Sequence, residues 1–150
     1  MQSIEFQSRM KAVATHLFWS LVLAMCAAGM VFWVWYPYPY REISGGRELF
    51  QIIVVVDVLI GPLITLVIFD IRKSALKLRC DLFVVLMVQL LALGYGLWTV
   101  AMARPVHVVF EIDRFRVVHA IEVDDDLLRQ APTEFKKLPW TGPTFLSIRE

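Results

Sequence analysis

The chain has 150 residues, 58% of them hydrophobic and only 19% charged, with a formal net charge of +1 and a mean hydropathy of +0.62. A water-soluble domain of this length carries about a quarter charged residues, so the composition points away from a soluble enzyme and toward a membrane protein. A net charge this close to zero gives no support to a nucleic-acid partner.

Three apolar runs, at about 13–36, 49–69 and 82–103, each reach the roughly 20 residues that a helix needs to cross a bilayer. The expected fold is a mainly α membrane protein. A three-transmembrane-helix bundle occupies residues 1–103, and a small α+β appendage containing a β-hairpin occupies residues 104–150. Arg9 and Lys11 precede the first run. That run is too long for a signal-peptide core and is read as a retained helix. Arg72, Lys73, Lys77 and Arg79 form the densest basic cluster and lie between the second and third runs. The positive-inside rule then places the amino terminus in the cytoplasm and the appendage outside it. The same cluster is too short for a nucleic-acid surface and is read as a topology signal that touches anionic lipid.

In the first run, His16 near the inner end reads as an interfacial residue, and Ala24, Ala28 and Gly29 leave a strip of small residues for close helix packing. Trp33, Trp35, Tyr36, Tyr38 and Tyr40, interleaved with Pro37 and Pro39, form an aromatic belt at its other end. Gly45-Gly46 supplies a turn into the second run.

The second run, Leu49 to Phe69, holds Asp57 near its middle and a Gly61-Pro62 break one turn later. A carboxylate at that depth costs roughly 2.5–3.5 kcal/mol on insertion scales and should face protein. Pro62 has no amide hydrogen, which deprives the carbonyl of Val58 of its α-helical partner. Counting inward from the ends of the antiparallel second and third runs puts Asp57 level with Tyr95 and Pro62 level with Gln89. These levels predict a Tyr95–Asp57 hydrogen bond and place Gln89 near the break. Ala92 and Gly96 give the third run a further small-residue strip. The polar residues fit either an internal clasp or a socket for a partner's membrane helix. A third reading, proton conduction, suffers from having only one strongly ionisable residue deep in the spans.

In the appendage, apolar residues at 106, 108, 110 and 112 alternate as in a half-buried strand. Asp113-Arg114 reads as a turn and Phe115 to Val123 as a second strand. Asp124-Asp125-Asp126 should cap a helix at 127–130, and a further helical turn follows Pro132. Trp140-Thr141-Gly142-Pro143 reads as a turn. So small a hairpin cannot bury a core alone and must dock on something. His107 and His119 fall on the two strands and could face each other, but without a carboxylate they make a poor metal site. Cys26 and Cys80 have no redox or metal spacing, and no catalytic signature is present, so no metal, cofactor or enzyme activity is expected.

Several short motifs recur in a family's order. They are Trp35-Tyr36-Pro37, Gly45-Gly46-Arg47-Glu48-Leu49, Asp57-Val58-Leu59-Ile60-Gly61-Pro62-Leu63, Gln89-Leu90 with Tyr95-Gly96, Arg104-Pro105-Val106, Phe110-Glu111-Ile112-Asp113-Arg114-Phe115 and Leu138-Pro139-Trp140-Thr141-Gly142-Pro143. In order and spacing the chain resembles the TfpX/TfpZ family of type IV pilin accessory proteins. Its Tyr38-Pro39-Tyr40 stretch is more aromatic than the family pattern, and family members often run further past Thr144-Phe145-Leu146. The resemblance implies a multi-pass protein of the bacterial inner membrane with a periplasmic appendage. Its partners would be the lipid bilayer, a type IV major pilin and other pilus-assembly membrane proteins. It would bind or chaperone that pilin without catalysis, tuning pilus assembly and retraction. The expected partner-binding residues are Asp57, Gly61, Pro62, Gln89, Tyr95 and Gly96 in the spans, with Phe110, Arg114 and Phe115 on the hairpin. The alternatives are a structural subunit of another membrane complex and a small proton- or ion-conducting protein.

Overall fold

The computed structural model describes residues 2–70 and 72–147. Among the described residues, three helical stretches are long and apolar enough to cross a membrane: Ser3–Trp35, Gly46–Ile68 and Ala75–Met102. The first consists of α1 (Gln2–Gly29) followed by a π-helical turn over Met30–Trp35. After a short α2 (Tyr40–Ile43), the second runs through α3 (Gly46–Val55), a π-helical turn over Val56–Ile60, and α4 (Gly61–Ile68). The third is α5 (Ala75–Met102), which starts well before its apolar run and takes in Lys77, Arg79 and Asp81.

On each long helix the buried residues form one narrow stripe. His16 (partly buried), Ser20, Ala27, Val31 and Trp35 mark it on the first, and Gly46, Phe50, Asp57, Gly61 and Thr65 on the second. Val85, Val100 and the partly buried Gln89 mark it on the third. The opposite faces carry large bare hydrophobic side chains, among them Phe18, Trp19, Val67, Phe83, Val88 and Leu91. Contiguous apolar surface of this extent suits a hydrocarbon solvent and is foreign to soluble monomers. It is compatible with a membrane location.

The described residues fall into two compact units. One comprises residues up to Ala27 together with Gln51–Leu97, and the other comprises Ala28–Phe50 with the residues from Trp98 onward. In the second unit the core forms around Tyr36, which is fully buried and donates its hydroxyl to the carbonyl of Val100 at 3.1 Å. Burial raises the Tyr36 phenol to about 12, so the donor stays protonated. Trp35 meets Trp140 edge to face at 5.6 Å, and Gly142 N donates to the carbonyl of Val34 at 2.9 Å. Arg104, only 6% exposed, stacks on Trp140 and donates to the carbonyl of Ala101 at 2.7 Å. It thereby caps the carboxy-terminal end of α5, where a cation is favoured by the helix dipole.

A three-stranded sheet with order β2-β1-β3 follows α5. β1 (Pro105–Glu111) and β2 (Arg114–His119) form the expected antiparallel hairpin, pairing Phe110 with Phe115 and Val108 with Val117. The second strand is shorter than its alternation predicts, because Ala120–Glu122 closes into a 3-10 turn. α6 (Asp125–Gln130) is capped by the Asp124 side chain, which accepts from Asp126 N and Leu127 N, and the helical turn after Pro132 forms over Thr133–Phe135. β3 (Thr144–Ser147) was not foreseen and runs parallel to β1. The register separates the two histidines. His107 shares a 2.7 Å hydrogen bond with Thr144 Oγ1, and His119 Nδ1 lies 3.7 Å from Glu122.

Two predictions follow from this packing. A Cβ on Gly46 would fall 2.8 Å from Tyr36 Cγ and closer still to the ring edge, and the buried ring has nowhere to move. Gly46→Ala should therefore cost roughly 1–3 kcal/mol. Gly94→Ala, with open space around it, should be neutral or stabilise by about 0.5–1 kcal/mol. Thermal unfolding in detergent checks both, and equal effects would contradict the packing. Burial also lowers the His107 pKa below its ordinary value. The unfolded chain then takes up a proton more readily, so this contribution is complete above about pH 6.5 and is lost as pH falls through the depressed folded-state value. Amide-exchange protection in β1 and β3, corrected for the intrinsic pH dependence of exchange, should fall as pH drops below about 6.5, and a His107→Gln variant should lose the dependence that His107 contributes.

Candidate partner-binding site

The site grows from one backbone defect. In the π-helical turn each carbonyl pairs with the amide five residues on. Five residues on from Asp57 is Pro62, which has no N–H. The orphan is therefore the carbonyl of Asp57, where an uninterrupted α-helix would have made it that of Val58. Gln89 fills the gap by donating from Nε2 to the Asp57 carbonyl at 2.7 Å, which bears out the placement of Gln89 beside the break.

The remaining valences of that amide are also used. Nε2 donates to Ser20 Oγ at 3.0 Å, and Oε1 lies 2.6 Å from His16 Nε2. A carbonyl oxygen only accepts, so His16 Nε2 carries a proton. His16 Nδ1 lies 2.6 Å from Thr65 Oγ1 and, in the neutral ring, accepts from that hydroxyl. Gly61 makes the approach feasible, because a Cβ there would stand 2.8 Å from Gln89 Cδ and closer to its oxygen. His16 is thus part of the bundle's polar interior, correcting its reading as an interfacial residue. His16, Ser20 and Thr65 were missed as site residues, although each lies on its helix's buried stripe.

Asp57 itself is 8% exposed, and its Oδ2 has no hydrogen-bond partner among the described residues. Tyr95 is 70% exposed, and the expected Tyr95–Asp57 hydrogen bond does not reach Oδ2. Asp57 and Gln89 border a groove of about 330 Å³ whose other walls are aliphatic, including Val56, Ile60 and Ile64 from the second long helix and Val84 and Val88 from the third. Gly96 packs on Ile53, where a Cβ would approach to 2.8 Å, while Ala92 lines the groove. Of the span residues expected at the site, Asp57, Gly61 and Gln89 are brought together at this groove. Pro62 is buried beside them in sequence, Tyr95 faces outward, and Gly96 serves helix contact.

The hairpin residues form their own cluster. Phe110 and Phe115 have ring centroids 5.0 Å apart, and Phe115 is largely exposed. Arg114 lies alongside, paired at 3.0 Å with Asp113. At the tip, Ile112 adopts φ 48 and is 88% exposed, an uncommon conformation for a β-branched residue.

Comparison with known proteins bears on what this arrangement serves. A family model described as Fimbrial assembly protein FimB matches residues 4–45. The chain is 38% identical over 121 residues to the fimbrial assembly protein of serogroups C1 and C2 of Dichelobacter nodosus, covering 81% of this chain and 92% of that one. The chain belongs to the fimbrial assembly protein family. Its relatives of serogroups I and E1 from the same organism are 39% and 37% identical over 140 and 139 residues. Those matches cover 93% of this chain and 54% of each relative, so the chain spans about half the length of those family members. No solved structure matches it. Membership in this family supports a role in fimbrial biogenesis, and the family is not a known enzyme family.

A double-mutant cycle tests the clasp. Gln89→Leu strips partners from Asp57 O, Ser20 and His16, and should cost about 1–3 kcal/mol, given membrane hydrogen bonds averaging about 0.6 kcal/mol each and an exposed backbone defect. Pro62→Ala returns an amide to the helix. In that background the cost of Gln89→Leu should shrink measurably in detergent unfolding. Additive effects would mean that Gln89 is not compensating for the proline.

Proposed function

We propose that this protein is a TfpX/TfpZ-type accessory protein of the bacterial inner membrane that binds its cognate major pilin before assembly, without catalysis. In this reading residues 1–103 form the membrane domain, with its amino terminus in the cytoplasm, and residues 104–150 form a periplasmic appendage. The bare aliphatic surface of the three long helices supports the membrane placement, and the basic segment Arg72, Lys73, Lys77 and Arg79 supports the orientation. The names of the relatives support the fimbrial role.

The observation that carries pilin binding is the split use of Asp57. Its backbone carbonyl is engaged by Gln89, while its carboxylate oxygen Oδ2 is left without a partner among the described residues, beside an apolar groove. A groove of about 330 Å³ holds a few side chains of a docking helix rather than the helix itself, which is about 10–12 Å across. The docked helix is the pilin's membrane anchor, and Phe110, Arg114 and Phe115 at the hairpin meet the pilin's globular part. Holding the subunit there tunes the balance of pilus assembly and retraction and leaves room for other pilus-assembly membrane proteins.

Asp57→Asn and Asp57→Ala keep the backbone carbonyl and so should leave the clasp and protein level intact. Both should lower piliation and reduce several-fold the photocrosslinking of pilin from probes at Val56 and Ile60. Unchanged piliation and crosslinking in both variants would remove the socket. Capture of a different stable partner would favour a subunit of another complex, and ion flux in liposomes abolished by Asp57→Asn would favour conduction.

A further inference from the structure

We propose that the pocket bounded by Phe32, Arg41, Glu42 and Arg47 binds the phosphate headgroup of an anionic phospholipid. The proposal rests on the reading that the long helices cross a bilayer. The pocket has a volume of about 260 Å³. Phe32 lies in the last turn of the first long helix and Arg47 in the first turn of the second, so both mark the same edge of the apolar belt. Trp33 and Tyr38, 85% and 75% exposed, stand beside it in the chain, and such aromatic residues favour the headgroup level.

The chemistry of the lining fits a phosphodiester. Arg41 Nε lies 3.4 Å from Glu42 Oε1, and Arg47 Nη1 donates to Glu42 Oε2 at 3.2 Å. Two guanidinium groups on one carboxylate leave one positive charge at the cavity, and Glu48 does not line it. Arg41 Nε is buried and, despite its ion pair, has no aligned hydrogen-bond acceptor among the described residues. Guanidinium forks match phosphate oxygens in both geometry and charge. Phe32, held edge to face on Phe50 at 5.2 Å, gives an apolar wall against which glycerol and the start of an acyl chain pack. A zwitterionic choline lipid would bring its own cation toward the arginines, so a headgroup with net negative charge is preferred.

The test uses the full chain in mixed phosphatidylcholine and phosphatidylglycerol nanodiscs, with lipid retained after mild detergent extraction read by native mass spectrometry. Phosphatidylglycerol should be enriched on the native protein. Arg41→Gln with Arg47→Gln should reduce that enrichment about tenfold, and the paired lysine variants should keep part of it. Glu42→Gln frees both guanidinium groups and should raise retention. Lys136→Gln with Lys137→Gln, both exposed on the appendage, should change nothing. Equal retention by the Arg→Gln pair, no gain in Glu42→Gln, or an equal loss in the Lys136/Lys137 pair would overturn the site. Displacement of the lipid by millimolar inorganic phosphate that itself binds through Arg41 and Arg47 would replace the lipid with a soluble anion. Failure of the chain to float with vesicles would sink the membrane reading. Flotation without phosphatidylglycerol preference would sink this proposal alone.

Discussion

The unit formed by the three long apolar helices depends on one orphaned backbone carbonyl. Pro62 removes an amide, the π-helical turn moves the resulting gap to Asp57 O, and in hydrocarbon an unpaired backbone group costs several kcal/mol. A leucine at 89 would leave the gap open, and an asparagine lacks the reach. A glutamate would offer no donor when ionised. Glutamine reaches it from the third long helix and still has a second N–H for Ser20 and a carbonyl for His16. Every other constraint follows from that amide. Gly61 must be small to admit it, His16 must carry its proton on Nε2, and Thr65 must sit one turn beyond Gly61 to meet the far side of the ring. The helices are thus registered in depth by a chain of directional bonds, where packing of aliphatic surfaces alone would leave them freer to slide.

The second unit solves a similar problem with aromatic volume. Where the first long helix ends, Tyr36 fills the space that Gly46 leaves, and its hydroxyl closes on the backbone near the end of α5. Arg104 keeps its charge while 6% exposed by lying on Trp140 and capping the helix end. Burial and the lost hydration push its guanidinium pKa below the usual value, and the group is so basic that it stays charged regardless. Trp140 is therefore a structural anchor, touching both Trp35 and Arg104, although its sequence context reads only as a turn.

Much of this was legible in the chain. The three long apolar helices, the hairpin and the Asp124 cap announce themselves through length, alternation and side-chain chemistry, although the hairpin turn falls at Ile112-Asp113, one residue before the expected Asp113-Arg114, and Arg114 opens β2. What escaped has identifiable physical causes. β3 is four residues long and pairs in parallel with a strand more than thirty residues earlier, so no local pattern encodes it. The Tyr95–Asp57 pairing rests on counting from helix ends, which fixes depth and leaves direction free, and Tyr95 is 70% exposed. Successive residues turn by about 100° around a helix. Gln89 and Gly96, seven apart, share a face, and Tyr95 is swung well away from it. His16 was misplaced for the complementary reason: its position near a helix end hid the fact that it lies one turn from Ser20, on the inward stripe. The π-helical turn leaves no signature in the sequence beyond Pro62 itself.

The two halves of residue 57 bear on function separately. The clasp requires only its carbonyl, which any amino acid offers, so the network of Gln89, His16, Ser20 and Thr65 would close equally well around an alanine or a leucine there. The carboxylate oxygen Oδ2 has no partner among the described residues, and burying a polar atom without a donor is unfavourable. Gln89 makes the contrast plain, since each polar atom of its side chain is bonded within the unit. A side chain with one buried oxygen left unpartnered, set beside an aliphatic groove, fits an interaction completed by another molecule. In the proposed docking of a pilin helix, the incoming side chains would supply the missing donor, and the unfavourable burial in the unoccupied protein would become a gain in selectivity for helices that carry one.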